Sequence, residues 1–290
     1  MAASAEGRRS KAAITIARPV EPISVIRSRK ARICCPVFAP FLQPKPQVIV
    51  LADSPISSAG PVDAALIDDL VAASRILAHH RVLDAWGHVS IRHPANPERY
   101  LLSRARAPAL VSAEDVMEFD LDSNPIDQRS RRMFLERFIH GQAYRARPDV
   151  NAVVHSHSPT MIPFSVTGEP MKAISHIASF MVEEVPVWEI RDVGITQGLL
   201  VTNNTQGRSL AKTLGDGPVA LMRGHGNLVV APDIRRAVHR ALYTEVNAQQ
   251  LATALSFRRP ITFVAPDESQ DPKRLDDSWE VWKSEAMNGA

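Results

Sequence analysis

Apolar positions along this chain switch between two spacings, and the switches outline its elements. From 62 to 80, Leu66, Leu70, Ile76 and Leu77 recur at helical intervals and predict an amphipathic helix lying on a sheet. Order is expected to begin near Ser57. After Gly87 the period shortens. The run His88-Val89-Ser90-Ile91-Arg92 reads as a strand, and Tyr100-Leu101-Leu102-Ser103 as its partner across the turn-rich His93-Pro94-Ala95-Asn96-Pro97. A further strand is expected at 116–121, a helix at 131–147 and a strand at 153–157. The segment 160–166 reads as a short helix or loop, and 171–182 fits either helix or strand. Beyond these, 198–202 resembles a strand edge, 208–214 a helix, 218–222 a buried strand, and 226–230 its hairpin partner. A long helix runs from 233 to about 256, with Pro232 just before it and Asp233 as its N-cap. No internal repeat is evident, and the sum is an α/β/α layered domain whose sheet order the pattern leaves open.

Composition divides the chain. At 290 residues and 45% hydrophobic it can bury a full core, and no apolar run reaches the ~18 residues of a membrane-spanning helix. The net charge of +3 conceals an asymmetry. Nine Lys and Arg stand against two acids between Met1 and Val50, so the remainder is net acidic. The basic balance therefore belongs to the tail and is a poor argument for nucleic-acid binding. That tail also carries Pro19, Pro22, Pro36, Pro40, Pro44 and Pro46, which oppose a regular helix. Residues 1–56 are thus expected to form a disordered basic extension, with a targeting peptide as the alternative, and 57–290 the catalytic domain. Cys34 and Cys35 are adjacent and supply no disulfide framework, so a reducing, cytoplasmic setting is the default. The basic pairs Arg235-Arg236 and Arg240 read as the solvated face of a helix.

The candidate chemistry lies in the histidines. On a strand, side chains two apart share a face, so His155 and His157 can reach one ion. His225 sits between Gly224 and Gly226, where the backbone can turn tightly and bring its ring to a shared point. Three imidazoles on a divalent cation leave positions open for a substrate, which describes a catalytic site better than a structural one. Upstream, Glu136 and His140 stand four apart on one face of the predicted helix, which feeds the strand through Arg147-Pro148-Asp149. A carboxylate so placed could ligate or move protons.

Together, Gly87-His88-Val89-Ser90-Ile91-Arg92, Glu136, Arg147-Pro148-Asp149, His155-Ser156-His157 and Gly224-His225-Gly226 resemble the class II aldolase/adducin superfamily in order and spacing, over roughly 65–256. The resemblance implies a central, mostly antiparallel sheet between helices and a bound divalent metal, often in a fourfold tetramer with sites between subunits. His155, His157 and His225 would be the ligands, and Glu136 the acid/base or an additional ligand. Sugar-phosphate members hold phosphate with Asn after the glycine, a Thr-Pro-rich turn and paired serines before the acidic residue. The corresponding places here are His88, Leu102-Ser103-Arg104-Ala105-Arg106 and Phe134-Leu135, which lack those donors and disfavour a phosphorylated sugar. Arg104 and Arg106 offer planar, permanently charged forks suited to carboxylates as well as phosphates, with His88 and Ser103 as further substrate-binding positions. This version of the motifs is similar to the branch containing hydroxypyridine-dicarboxylate and dihydroxyphthalate decarboxylases. In that branch another histidine follows the His-x-His by about twenty residues, and His176 matches it.

The resulting expectation is a metal-dependent lyase acting in aromatic compound catabolism, decarboxylating a hydroxylated aromatic or heteroaromatic (di)carboxylate. Manganese is the first choice of ion and zinc the next, with iron or cobalt compatible. Arg104 or Arg106 would hold a second carboxylate, and Glu136 or His176 would supply the proton that replaces carbon dioxide. A retro-aldol lyase or epimerase, a metal-dependent oxygenase and a non-catalytic adducin-like protein are the alternatives. The intact histidine triad argues against the last. The expected partners are a small carboxylate substrate and further copies of the chain in a homotetramer, without nucleic acid or membrane.

Overall fold

The structure, a computed structural model, describes residues 57–269 and 274–288; the extension expected at 1–56, with both cysteines, lies outside the described residues. Helix α1 (Ala64–His79) starts at Asp63, whose carboxylate accepts the Ala65 N–H. The strands are β1 (His88–Arg92), β2 (Arg99–Ser103), β3 (Val116–Asp120), β4 (Ala152–Ser156), β5 (Val187–Trp188), β6 (Val219–Met222) and β7 (Gly226–Ala231). Between and after them run α2 (Phe138–Ala146), α3 (Ile162–Thr167), α4 (Asn204–Leu214), α5 (Ile234–Ser256) and α6 (Asp276–Asn288). The sheet has the order β3-β2-β1-β4-β7-β6-β5, antiparallel throughout except for the parallel pair β5 and β6.

Alternation along the strands builds two cores, one on each face of the sheet. Val89 and Ile91 of β1, Ala152 and Val154 of β4, and Val229 and Ala231 of β7 point to one face, which α1, α5 and α6 cover. Tyr100 and Leu102 of β2, Val153 of β4, and Leu228 and Val230 of β7 point to the other, which α2 and α4 cover. The result is the expected three-layer α/β/α arrangement with a mostly antiparallel sheet. His155 shares the parity of Val153, and His88, Ser90 and Arg92 oppose Val89 and Ile91, so all four belong to the α2 face. Strand pairing sets His88 directly opposite His155.

Three sequence expectations change. The helix expected at 131–147 is α-helical only from Phe138; Leu135–Arg137 forms a tighter 3-10 turn with Glu136 at φ −91°, ψ 15°. Glu136 and His140 therefore do not share a helix face, and each turns to different partners. The strand edge expected at 198–202 does not form. The Leu200 N–H closes a turn on the Gln197 carbonyl, and two further N–H groups go to side chains, Val201 to Glu136 Oε1 at 2.9 Å and Thr202 to Gln206 Oε1 at 2.8 Å. The ambiguous 171–182 is neither helix nor strand overall, its second half a 3-10 turn at His176–Met181. The basic residues of α5 are engaged within the chain: Arg235 bonds Asp276 at 2.7 Å, Arg236 bonds Asp233 at 3.1 Å and Arg240 donates to the Val230 carbonyl at 2.7 Å. Trp279, on α6, is fully buried in the α1/α5 core.

Candidate metal centre

Three separate elements deliver the donors. His155 ends β4 and His157 lies just past it, while His225 occupies the turn between β6 and β7. Register brings that turn to β4, because Ser156 pairs with Asn227 and Met222 with Gly226. Both flanking glycines are required. Gly224 has φ +63°, and a Cβ on Gly226 would lie 2.0 Å from the Ser156 carbonyl oxygen. Glu136 arrives from the 3-10 turn ahead of α2, its Oε1 held by the Val201 N–H.

The four side chains converge, each offering one ligand atom, with these atoms within 4.8 Å of one another. Glu136 Oε2 lies 3.4 Å from His155 Nε2, 3.8 Å from His157 Nε2 and 3.3 Å from His225 Nε2. Each ring is fixed from behind through Nδ1: His155 by the Asn227 carbonyl at 3.0 Å, His225 by the Leu199 carbonyl at 2.8 Å, His157 by Asp84 at 3.1 Å. Those acceptors set the tautomer that turns three Nε2 lone pairs toward one point, as in metal sites. His225 Nε2 is buried without a well-formed hydrogen bond, a cost that a cation at that point would remove. The donor set therefore fits a divalent metal: three imidazoles, one buried carboxylate and a supporting outer shell.

The electrostatics agree. Burial pushes the Glu136 carboxyl upward, but the imidazoles of His155, His157 and His225 gathered around it, His155 foremost, hold it far below the ordinary carboxylate range. Burial lowers His155 against the pull of Glu136, whereas His157, also opposed by burial, is raised by Glu136 and Asp84. Asp84 is held low despite its burial by the N–H groups of Trp86 and Gly87 and by His157.

Beside the donors opens a cavity of about 750 Å³. Its walls are largely apolar, including Trp86, Phe134 and Leu200, while His88, Arg106 and Arg132 add polar groups and Glu136 and His157 border it. Of the expected substrate-binding residues, His88 and Arg106 line this cavity. Arg104 instead pairs with the buried Asp115 at 2.5 Å, which Arg106 also approaches at 3.3 Å. Ser103 is buried at the end of β2 and lies outside the cavity lining. His176 is exposed at the start of its 3-10 turn and is neither in the donor cluster nor in the lining. Sequence reasoning missed Asp84 and Arg132. Asp84 stands three residues ahead of the Gly87 motif and Arg132 four ahead of Glu136, where no motif marks them.

A helix-flanked, mostly antiparallel sheet gathers three imidazoles and a carboxylate beside a cavity, and sequence comparison assigns the chain that bears them to a family. The chain belongs to the class II aldolase and adducin N-terminal domain family, which matches residues 68–252. It is 32% identical to Decarboxylase tropJ of Talaromyces stipitatus over 247 residues, covering 76% of this chain and 93% of that protein. It is 31% identical over 208 residues to the 3,4-dihydroxyphthalate decarboxylase of Arthrobacter keyseri, covering 67% of this chain and 79% of that one. A solved aldolase II superfamily protein from Pseudomonas syringae, 20% identical, shares the fold with a TM-score of 0.65 over 80% of this chain and 95% of that chain.

Proposed function

We propose that this protein is a metal-dependent lyase that decarboxylates a hydroxylated aromatic or heteroaromatic carboxylate. The observation that carries the reading is the placement of the four-donor cluster beside a largely apolar cavity bearing guanidinium groups. The decarboxylase names of the two relatives support it. His155, His157, His225 and Glu136 would hold the ion, with manganese or zinc the best matches to three imidazoles and a carboxylate. When bound, a divalent cation supplies a Lewis-acid charge that stabilises the negative charge developing as carbon dioxide leaves.

The chain's own groups do the rest. Trp86, Phe134 and Leu200 give the cavity apolar walls suited to an aromatic ring. Arg106 and Arg132 offer planar guanidinium forks that bind a carboxylate and orient the ring. The ring–carboxylate bond breaks with its electron pair remaining on the ring carbon, and a proton takes the place of carbon dioxide there. Aldol cleavage or epimerisation on the same donors is the competing chemistry, and the cavity's apolar walls favour an aromatic ring over a polyhydroxylated chain.

The test combines metal analysis with a product screen. Wild type should contain about one divalent ion per chain, lost in His155→Ala and His225→Ala, and should release carbon dioxide from 3,4-dihydroxyphthalate or a related hydroxylated aromatic acid. Metal retained in both variants would remove the proposed ligand set. Metal in wild type with cleavage of hydroxy-aldehydes and no carbon dioxide would transfer the protein to the aldolase reading.

A further inference from the structure

Behind the cavity wall lies a buried polar chain that the proposed reaction does not use. His88 Nδ1 is 2.6 Å from His140 Nε2, His140 Nδ1 is 2.6 Å from Ser90 Oγ, and Ser90 Oγ is 2.7 Å from Tyr144 Oη. All four residues are buried, Ser90 and His140 completely. The geometry comes from matching two periods. His88 and Ser90 are two apart on β1, His140 and Tyr144 four apart on α2, and both pairs face each other across one layer.

Such a chain has two polarities, and its inner end selects one. Among the described residues the Tyr144 hydroxyl has one polar partner, Ser90 Oγ, so its single hydrogen goes there. Ser90 then donates to His140 Nδ1, and the proton of His140 sits on Nε2 and is donated to His88 Nδ1. His88 is left with its own proton on Nε2, the ring nitrogen that no group among the described residues engages, at the wall of the cavity. The opposite polarity would strand the Tyr144 hydrogen in the interior without an acceptor.

We propose that Tyr144, Ser90 and His140 are positioning residues that lock His88 as a neutral Nε2–H donor, aimed at an anionic or carbonyl oxygen of the substrate. The proposal rests on reading the cavity as the substrate site. It makes His88 a giver of a hydrogen bond and not of a proton. Releasing its proton along the chain would leave a phenolate at Tyr144, and burial raises the pKa of that phenol strongly. A fixed neutral donor beside the metal ligands is suited to negative charge that appears on a substrate oxygen during reaction.

The test reads the tautomer directly. Full-length protein labelled with 15N in its imidazoles and loaded with zinc is observed by two-bond proton–nitrogen correlation, with His88 assigned by its disappearance in His88→Gln. The expected result is a protonated Nε2 and a lone pair on Nδ1 of His88. Tyr144→Phe and Ser90→Ala should each release the polarity and populate the other tautomer, while Ser90→Thr, which keeps the hydroxyl, should preserve it. Unchanged His155 and His225 signals in the variants exclude a general disturbance of the fold. A proton on His88 Nδ1 in wild type, or a Tyr144→Phe protein with the wild-type tautomer, overturns the proposal. With 3,4-dihydroxyphthalate as probe the His88 Nε2 resonance should shift, and a resonance that stays in place overturns the donor role. The tautomer is read without substrate, so a protein that releases no carbon dioxide would refute the decarboxylase reading and leave the polarity measurement standing.

Discussion

His155 and His225 are steadied by backbone carbonyls, but His157 depends on a side chain, Asp84, 3.1 Å from its Nδ1. Asp84→Asn keeps an oxygen for the Trp86 and Gly87 N–H groups and removes the charge that holds the imidazole. Metal affinity should fall about 10–100-fold, measured by competition with a chromophoric chelator, and equal affinities would show that Asp84 does not support the ligand. His140 makes a different demand. Burial lowers it from an ordinary value of 6.5 to about 3, so between those values the unfolded chain binds a proton that the folded protein refuses. Its share of stability is therefore complete above pH ~6.5 and lost as pH falls toward 3, by about 1 kcal/mol per pH unit. Urea unfolding of apo-protein between pH 7 and 4 should show a shallower decline in His140→Asn than in wild type. Parallel declines would mean that His140 is not the group held neutral.

The β6–β7 hairpin carries one of the four candidate donors, His225, on a turn with no slack. A methyl group at 226 would meet the Ser156 carbonyl at 2.0 Å, so β7 must separate from the end of β4 or the turn must move. Gly226→Ala should cost several kcal/mol of stability, typical of overpacking against backbone, and abolish metal binding even though no ligand is altered. A variant with native melting temperature and native metal content would show that the hairpin yields. This hairpin was legible in the sequence because the apolar run at 218–222, the glycines and His225 all mark it locally. Likewise, the three imidazoles and Glu136 announce themselves by residue type and spacing. The turn holding Glu136 was not legible, since 131–147 keeps helical periodicity while its first residues are diverted to long-range partners: Ala105 N–H bonds the Arg132 carbonyl and Val201 N–H the Glu136 carboxylate. The segment 198–202 reads as a strand because its apolar residues suit a ladder, whose place is taken by the distant Glu136 carboxylate and the nearby Gln206 amide. Arg104 and Arg106 look equivalent in sequence, and only the fold shows that both reach Asp115, Arg104 at 2.5 Å and Arg106 at 3.3 Å, while Arg106 alone of the two lines the cavity.

The four donors come from positions 136 to 225, and β4, β7 and β6 must be paired and the turn at Leu135–Arg137 docked before they meet. The unfolded chain has no such constellation, so metal binding should act as folding free energy. With free metal at about a thousandfold above its Kd, linkage adds about 4 kcal/mol, and for a chain of this size each 1 kcal/mol moves Tm by about 2–4 °C. Wild-type protein should therefore melt roughly 10 °C higher with metal than after exhaustive chelation. His225→Ala gives the necessary contrast. It loses a candidate donor whose Nε2 is buried without a well-formed hydrogen bond, so its chelated form should differ from chelated wild type only by the cavity left by the ring and the lost Nδ1 bond to the Leu199 carbonyl. The chelator-dependent shift, in contrast, should nearly vanish in the variant. Differential scanning calorimetry of both proteins, each with and without chelator, separates the two contributions. A wild-type Tm indifferent to chelator and to added manganese or zinc would mean that the convergent donors hold no ion tightly enough to matter, and the metal-dependent reading of the whole fold would fail with it.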